Sequence, residues 1–397
     1  MTDALITRLA ARGDGMTDDG RAVPFSVPGD LVDEFGAVTP GAHHQAPPCR
    51  HFPTCGGCTL QHVDDAAYAD YLVDRIASAL ASQQLSAEIA PPHLSPPRTR
   101  RRASLRAERQ GKRVLLGFNE GQSRKIVDLA ECWILAPALF AMLAPLRTLL
   151  GTLIADRRGA GVELALADQG IDVLITGVEP DGLAAIEAIT DFAKAHGLAR
   201  LSVDGGYGPE ARWEPEPVTV TLGGVAVALP AGGFLQATAD GEAALLDAVR
   251  DGVGEAKIVA DLFAGLGTFA LPLSMSAKVL AAEGARDATL SLKAAAARAG
   301  RQLVADHRDL FRRPYTAAEL SRFEAVVLDP PRAGAKEQVA ALAEASCGRI
   351  AYVSCNPATF ARDARALIDG GWRIEWIRPV GQFRWSTHVE LAASFRR

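Results

Sequence analysis

Asp261-Leu-Phe-Ala-Gly265-Leu-Gly267-Thr-Phe-Ala270 ends the apolar run Ile258–Phe263 in a glycine turn that opens a helical stretch. Glu283 follows 22 residues after Asp261, at the end of the next apolar run, Val279–Glu283. Two more such runs, Ala325–Leu328 and Ile350–Ser354, are each separated from their neighbours by helical stretches. Apolar strands alternating with helices predict an α/β fold with a doubly wound parallel sheet. Ligands of such sheets bind beyond the strand carboxyl ends, so the residues at those ends are the ones to inspect.

The glycine turn is a nucleoside-binding geometry. Gly265 and Gly267 let the backbone approach a ligand, and Glu283 can accept hydrogen bonds from two ribose hydroxyls. Gly-x-Gly-x-x-Ala also fits a nicotinamide dinucleotide. A carboxylate at Asp261 disfavours a pyrophosphate, however, and suits the cationic methionine part of S-adenosylmethionine.

Working outward, the 397-residue chain carries 42 Lys and Arg against 47 Asp and Glu, a net charge of −5, with 48% hydrophobic and 22% charged residues. This is the balance of a folded globular protein of two or three domains, and it argues against disorder, collagen and coiled coil. The stretch with fewest charges, Leu262–Ala277, is interrupted by Gly265, Gly267 and Pro272 and is too short to span a bilayer. The start, MTDALITRLAARGDG, lacks the apolar core of a secretory signal, so a cytoplasmic location is expected.

Six cysteines are too few and too scattered for a disulfide scaffold. Three crowd into Cys49-Arg-His-Phe-Pro-Thr-Cys55-Gly-Gly-Cys58, a loop kept tight by Pro53, Gly56 and Gly57, which is how a chain wraps a metal. Cys132 is the best fourth ligand, because Cys347 is distant and Cys355 has a different setting. Four thiolates suit tetrahedral zinc or an iron–sulfur cluster, and thiolate softness alone does not separate the two.

Residues 1–45 read as a small β-rich piece, and 64–84 as a helix stopped by the proline-rich segment at 91–97. Residues 98–125 carry ten basic side chains, among them Arg98, Arg100, Arg101, Arg102, Arg113 and Lys125, against Glu108 and Glu120. That local charge of +8 leaves −13 for the rest, a polarity that suits a face for a polyanion. Hairpins are predicted over Val162–Val178 and Val218–Leu229, which gives an antiparallel α+β middle domain.

The remaining strand ends carry reactive groups. Leu328-Asp329-Pro330-Pro331-Arg332 holds a carboxylate on a proline-stiffened exit, Ser354-Cys355-Asn356-Pro357 leaves a thiol at a strand tip, and His388-Val-Glu390 adds a second carboxylate. Together they suit chemistry at carbon 5 of uracil, which is too poor a nucleophile to take a methyl group directly. Thiolate addition of Cys355 at carbon 6 gives an enolate whose carbon 5 can attack, Glu390 can then remove the carbon 5 proton, and Asp329 can orient the ring.

These residues resemble the RNA 5-methyluridine methyltransferase family, in its iron–sulfur-bearing branch acting on 23S ribosomal RNA. The resemblance runs through Cys49-x5-Cys55-Gly-Gly-Cys58 with Gln61-His62, Cys132, Phe234-Leu-Gln236, Asp261–Phe269, DPPR at 329–332, SCNP at 354–357 and HVE at 388–390. It implies a truncated TRAM-like β domain over 1–45 and a central RNA-binding, iron–sulfur domain over 46–60 and 93–232. The Rossmann-like class I methyltransferase domain then takes 61–92 and 233–397. It implies a [4Fe–4S] cluster on Cys49, Cys55, Cys58 and Cys132, and methyl-donor contacts at Gln236, Phe263, Gly265, Gly267, Thr268, Glu283, Asp309 and Asp329. Cys355 becomes the nucleophile and Glu390 the base of a monomeric enzyme acting on RNA without a membrane. Transfer RNA is the alternative substrate, and a non-catalytic RNA-binding relative the alternative of another class. The chain departs from the family pattern at Thr238 and Thr268, where asparagine is usual, and at Phe383-Arg384-Trp385-Ser386, where Phe-Pro-His-Thr is common.

Overall fold

The computed structural model describes residues 3–397. Residues 1 and 2 of the expected first domain lie outside the described residues. That domain is a five-stranded sheet of short strands, β1 (Ala4–Leu9), β2 (Gly15–Thr17), β3 (Ala22–Val23), β4 (Leu31–Val32) and β5 (Val38–Thr39), in the order β3-β2-β1-β4-β5. Its core is small, Ile6, Val23 and Val32, and its exit is tied by the buried Asp30. That carboxylate accepts from the Val27 and Gly41 amides and pairs with His44 at 2.8 Å.

The predicted helix is α1 (Asp65–Ser82), followed by β6 (His93–Leu94). Asp64 caps the helix by accepting from the Ala67 amide at 2.8 Å. Tyr68, Leu72, Ile76 and Leu80 recur at helical spacing and are all buried in the core that holds Tyr352 and Phe360, each worth roughly 1.5–3 kcal/mol of transfer free energy.

The middle of the chain forms β7 (Arg102–Gln110), β8 (Arg113–Gly117), α2 (Pro137–Ala141), α3 (Leu143–Leu153), β9 (Gly159–Ala167), β10 (Gly170–Thr176), α4 (Gly182–Ala195), β11 (Arg200–Asp204) and β12 (Glu210–Trp213). The sheet order is β12-β11-β10-β9-β7-β8. The expected hairpin across Asp168-Gln-Gly170 is present, with Gly170 opposite Ala167. The sheet is not antiparallel throughout, however: β10 and β11 run parallel. The crossover helix α4, with Ile189 and Ala193 buried against the sheet core, makes that parallel step possible. A second hairpin, β13 (Thr219–Leu222) and β14 (Val225–Ala228), turns at Gly223 and Gly224, both at positive φ as its tight turn requires.

The last part comprises α5 (Ala239–Val253), β15 (Ile258–Leu262), α6 (Ala270–Leu273), β16 (Lys278–Glu283), α7 (Arg286–Arg298), β17 (Leu303–His307), α8 (Ala317–Leu320), β18 (Ala325–Leu328), α9 (Lys336–Glu344), β19 (Arg349–Ser354), α10 (Pro357–Asp369), β20 (Arg373–Gly381) and β21 (Glu390–Arg396). The sheet runs β17-β16-β15-β18-β19-β21-β20-β6. Strands β15 to β19 are parallel, and β21 inserts antiparallel between β19 and β20. Both faces are covered: Ala260 and Leu262 join the core containing α1, α9 and α10, while Val259 joins the core containing α5 and α7. The order reverses between β15 and β18, so the crevice at their carboxyl ends is the switch point where a ligand belongs.

Two expected boundaries shift. β6 pairs with β20 in the large sheet, and the β13–β14 hairpin buries Val220, Val225 and Val227 in the core of α5 and α7. β6 therefore pairs with the last domain, and the β13–β14 hairpin packs on its core while Thr219 and Thr221 stay hydrogen-bonded to Asp168 and Gln169 of the β9–β10 turn. Their short runs carry no periodicity to show which core will cover them. No helix among the described residues is long and apolar enough to cross a membrane.

Candidate active site

A cleft of about 940 Å³ opens at the switch point. Of the residues expected to contact the methyl donor, Gln236, Phe263, Gly265, Thr268, Glu283, Asp309 and Asp329 all line it, together with Cys355, His388 and Glu390. Phe263 leaves β15 at φ +66°, a conformation that costs a non-glycine residue about 1 kcal/mol or more and marks a constrained turn. Gly265 and Gly267 follow at positive φ. Gly267 lies beneath the loop: a Cβ there would meet Leu292 Cδ1 at 2.5 Å, so the loop can sit this close to α7 only without a side chain. Glu283 accepts from the amides of Gly265 at 2.9 Å and Ala285 at 2.6 Å, which fixes its carboxylate at the cleft. Each oxygen keeps a lone pair for a ligand hydroxyl.

Asp261 behaves differently from the sequence expectation. It is fully buried in β15, is absent from the cleft wall, and neither carboxylate oxygen has a hydrogen-bond partner. Burial pushes its carboxyl up to about 8; the nearby Ala270 amide opposes the rise and the Glu283 charge adds to it. A side chain so placed cannot meet the cationic end of a ligand in the cleft. Strand alternation explains the placement, since one of two successive positions must point into the layer beneath the loop.

Sheet register brings the thiol and carboxylate together. Ser354 of β19 pairs antiparallel with Leu391 of β21, so the next step of the ladder sets Cys355 against Glu390 at the strand ends. Asp329 arrives from β18 on the other side of β19. The loops are stitched to one another: Asn356 donates from its amide to the Arg332 carbonyl at 3.0 Å and also caps α10, with Pro357 in its first turn. Arg332 reaches His388 at 3.4 Å.

Burial dominates the electrostatics. It raises the Cys355 thiol to about 11, with Glu390 and Asp329 adding to the rise and Arg332 opposing it. Glu390 is raised by burial to about 7, held back by a hydrogen bond from Gln382 and by the Arg102 charge. Asp329 is raised well above its ordinary value, by burial first and by the Glu390 charge next.

The basic segment divides. Arg100 and Arg102 line the cleft, stacked over Phe383 at 5.7 Å and Phe234 at 4.6 Å respectively. Arg98 stacks over Trp133 at 4.2 Å. Arg101 is instead part-buried, paired with Glu242 and bonded to the Gln236 carbonyl, and Arg113 pairs with Asp128 at 2.8 Å at the far end of the hairpin. Lys125 is exposed in the following loop and lines no part of the cleft. Gln382, described below, carries no motif by which the sequence would have revealed it.

Cys49, Cys55, Cys58 and Cys132 line one small cavity with Phe52, Gln61, Phe118 and Trp133, and all four thiols are free. Burial raises every one, Cys58 to about 12. No three Cys, His, Asp or Glu side chains among the described residues meet as ligands of a single ion. The departure at Trp385 joins this cavity to the segment before Glu390: its indole packs with Cys58, Cys132 and Ile134, and its carbonyl accepts from the amides of Thr59 and Leu60 at 2.8 and 2.9 Å. The departure at Thr238 is a helix cap, its hydroxyl accepting from the Gly241 amide at 3.1 Å.

A Rossmann-like sheet with a glycine cradle, and a thiol facing a carboxylate beyond its strand ends, defines a nucleoside-dependent transferase of the class I methyltransferase type. Comparisons place it further. The profile of the tRNA (Uracil-5-)-methyltransferase family matches residues 229–397. A Zymomonas mobilis protein named as an RNA methyltransferase is 55% identical, covering 99% of each chain. The 23S rRNA (uracil(1939)-C(5))-methyltransferase RlmD of Aeromonas salmonicida is 30% identical over 91% of this chain and 84% of its own. The crystal structure of the Pyrococcus abyssi tRNA (uracil-54, C5)-methyltransferase, solved with S-adenosyl-L-homocysteine, has the same fold at a TM-score of 0.76 and 22% identity, over 99% of both chains. The chain belongs to the RNA uracil-5-methyltransferase family.

Proposed function

We propose that this enzyme methylates carbon 5 of a uridine in 23S ribosomal RNA, with Cys355 as nucleophile and Glu390 as base. The observation that carries the reading is the β19–β21 register, which sets these two groups side by side at the strand ends, on the wall of the cleft. S-adenosylmethionine, when bound, supplies the methyl group as a sulfonium substituent. The glycine cradle and the anchored Glu283 fit its nucleoside, with Gln236, Phe263, Thr268 and Asp309 completing the wall.

Cys355, whose thiol burial holds up at about 11, first gives its proton to solvent, and the thiolate then adds to carbon 6 of the ring. Asp329, beside Cys355 at the end of β18, orients the ring and its developing charge. Once carbon 5 carries the methyl group, Glu390 takes its proton, and the electron pair released re-forms the 5,6 double bond and expels the thiolate. A base near pH 7 is matched to that task. Arg100 and Arg102 place guanidinium groups on the wall of the cleft, where they suit the phosphates beside the target base.

The preference for ribosomal over transfer RNA is supported by the relationship to the Aeromonas salmonicida enzyme and by the four-cysteine loop. Those cysteines fit a [4Fe–4S] cluster, with zinc as the alternative: four thiols line one cavity. Cys49, Cys55, Cys58 and Cys132 would hold the cluster, which would tie the loop 49–58 to the residue 132 segment; Trp385, packed on Cys58 and Cys132, links that region to the chain leading to Glu390. The test is incubation of wild type and Cys355→Ala with S-adenosylmethionine and unmodified 23S ribosomal or transfer RNA, followed by nucleoside mass spectrometry. New 5-methyluridine in ribosomal RNA alone, absent with the variant, is expected; equal turnover by the variant overturns the thiolate mechanism, and methylation of transfer RNA alone overturns the substrate.

A further inference from the structure

Gln382 lies in the segment between β20 and β21, fully buried, and every polar atom of its side chain is engaged. Its Oε1 accepts from the Ala237 amide at 2.8 Å, which fixes which way the amide group points. Its Nε2 then donates one hydrogen to Gln236 Oε1 at 2.7 Å and the other to Glu390 Oε2 at 2.9 Å. Gln236 stands on the wall assigned to the methyl donor and Glu390 on the wall assigned to the base. One rigid amide therefore bridges the two halves of the reaction.

We propose that Gln382 is a positioning residue that holds Glu390 in its base-competent orientation and, through Gln236, ties that orientation to the methyl-donor site. The proposal rests on the reading of Glu390 as base and Gln236 as donor contact. Two further observations support it. Gly241, in the first turn of α5, leaves room for both Gln382 and the capping Thr238: a Cβ there would meet Gln382 Cβ and Thr238 Oγ1, each at 2.7 Å. The other groups facing Glu390 are Arg102 from β7, Asp329 after β18 and Cys355 after β19. Of these only Arg102 joins Gln382 in favouring the carboxylate form, and it does so through its charge, its buried Nε having no hydrogen-bond partner.

The experiment uses the full-length enzyme. For Gln382→Met, which keeps volume and removes both donors, S-adenosylhomocysteine affinity by calorimetry is expected to fall about tenfold, the scale of one buried hydrogen bond. The acid limb of single-turnover product release from RNA is expected to move to higher pH, because the carboxylate has lost a donor that favoured it. Gln236→Met is expected to weaken donor binding while leaving the acid limb in place, since Glu390 keeps its partner. A structural role alone would move neither the limb nor this difference between the variants. Should Gln382→Met fail to fold, Gly241→Ala displaces the same side chain and is expected to shift the same limb.

Wild-type affinity and wild-type pH dependence in both Gln382→Met and Gly241→Ala would overturn the proposal, even with Glu390→Gln trapping a covalent RNA adduct as a base variant should. Undiminished turnover by Glu390→Gln would instead remove the base reading, and the proposal with it.

Discussion

Asp261→Asn decides between two placements of one carboxyl group. In the structure the carboxyl is buried without a hydrogen-bond partner and raised to about 8 from an ordinary 3.8. The folded protein thus binds a proton that the unfolded chain has lost. The stabilisation is fully present below pH 3.8 and is lost as pH rises toward about 8. Within that window linkage gives about 1.4 kcal/mol per pH unit, so wild type should lose about 3 kcal/mol relative to the variant between about pH 5 and about pH 7. The asparagine amide does not titrate; leaving it unpartnered costs roughly 1–3 kcal/mol, but that cost is the same at every pH. Urea unfolding of both proteins across this range measures the difference directly. A difference that does not change with pH would refute the buried placement. A large loss of S-adenosylhomocysteine affinity without that slope would return Asp261 to the cleft wall, where sequence alone put it.

Three more outcomes are expected. Glu390→Gln should methylate and then stall, leaving a protein–RNA adduct that survives denaturation and is visible as a shifted band; methylation with no adduct would require another base. Cys58→Ser should bleach the visible absorbance of anaerobically purified protein and speed proteolysis at 383–388, because Trp385 loses the surface on which it packs; a colourless wild type with stoichiometric zinc would contradict the cluster. Gly267→Ala forces a Cβ against Leu292 at φ +92°, so thermal unfolding should show a loss of about 1–3 kcal/mol with weakened donor binding by calorimetry; unchanged values would mean the loop has slack.

The sequence by itself determined the parallel strands that end in chemistry, because β15, β16, β18 and β19 are continuous apolar runs buried on both faces and each stops at a glycine, proline or polar group. It also determined the cysteine loop and the nucleotide cradle, which are local patterns. It missed β17, whose run Leu-Val-Ala-Asp-His at the sheet edge is only half-buried and reads as neither period. Only tertiary structure could seat Asp261 beneath the loop, since which face of a strand is covered depends on layers contributed from elsewhere in the chain. The same holds for the parallel β10–β11 step and for β6 joining a sheet whose other strands begin more than 160 residues later. Gln382 is the sharpest case: its three partners are Gln236, Ala237 and Glu390, two of them 145 or more residues away, and a hydrogen bond at that separation leaves no mark in local spacing. Short-range pattern encodes elements, whereas the site is made by β21 returning between β19 and β20, and that return is a property of the whole sheet.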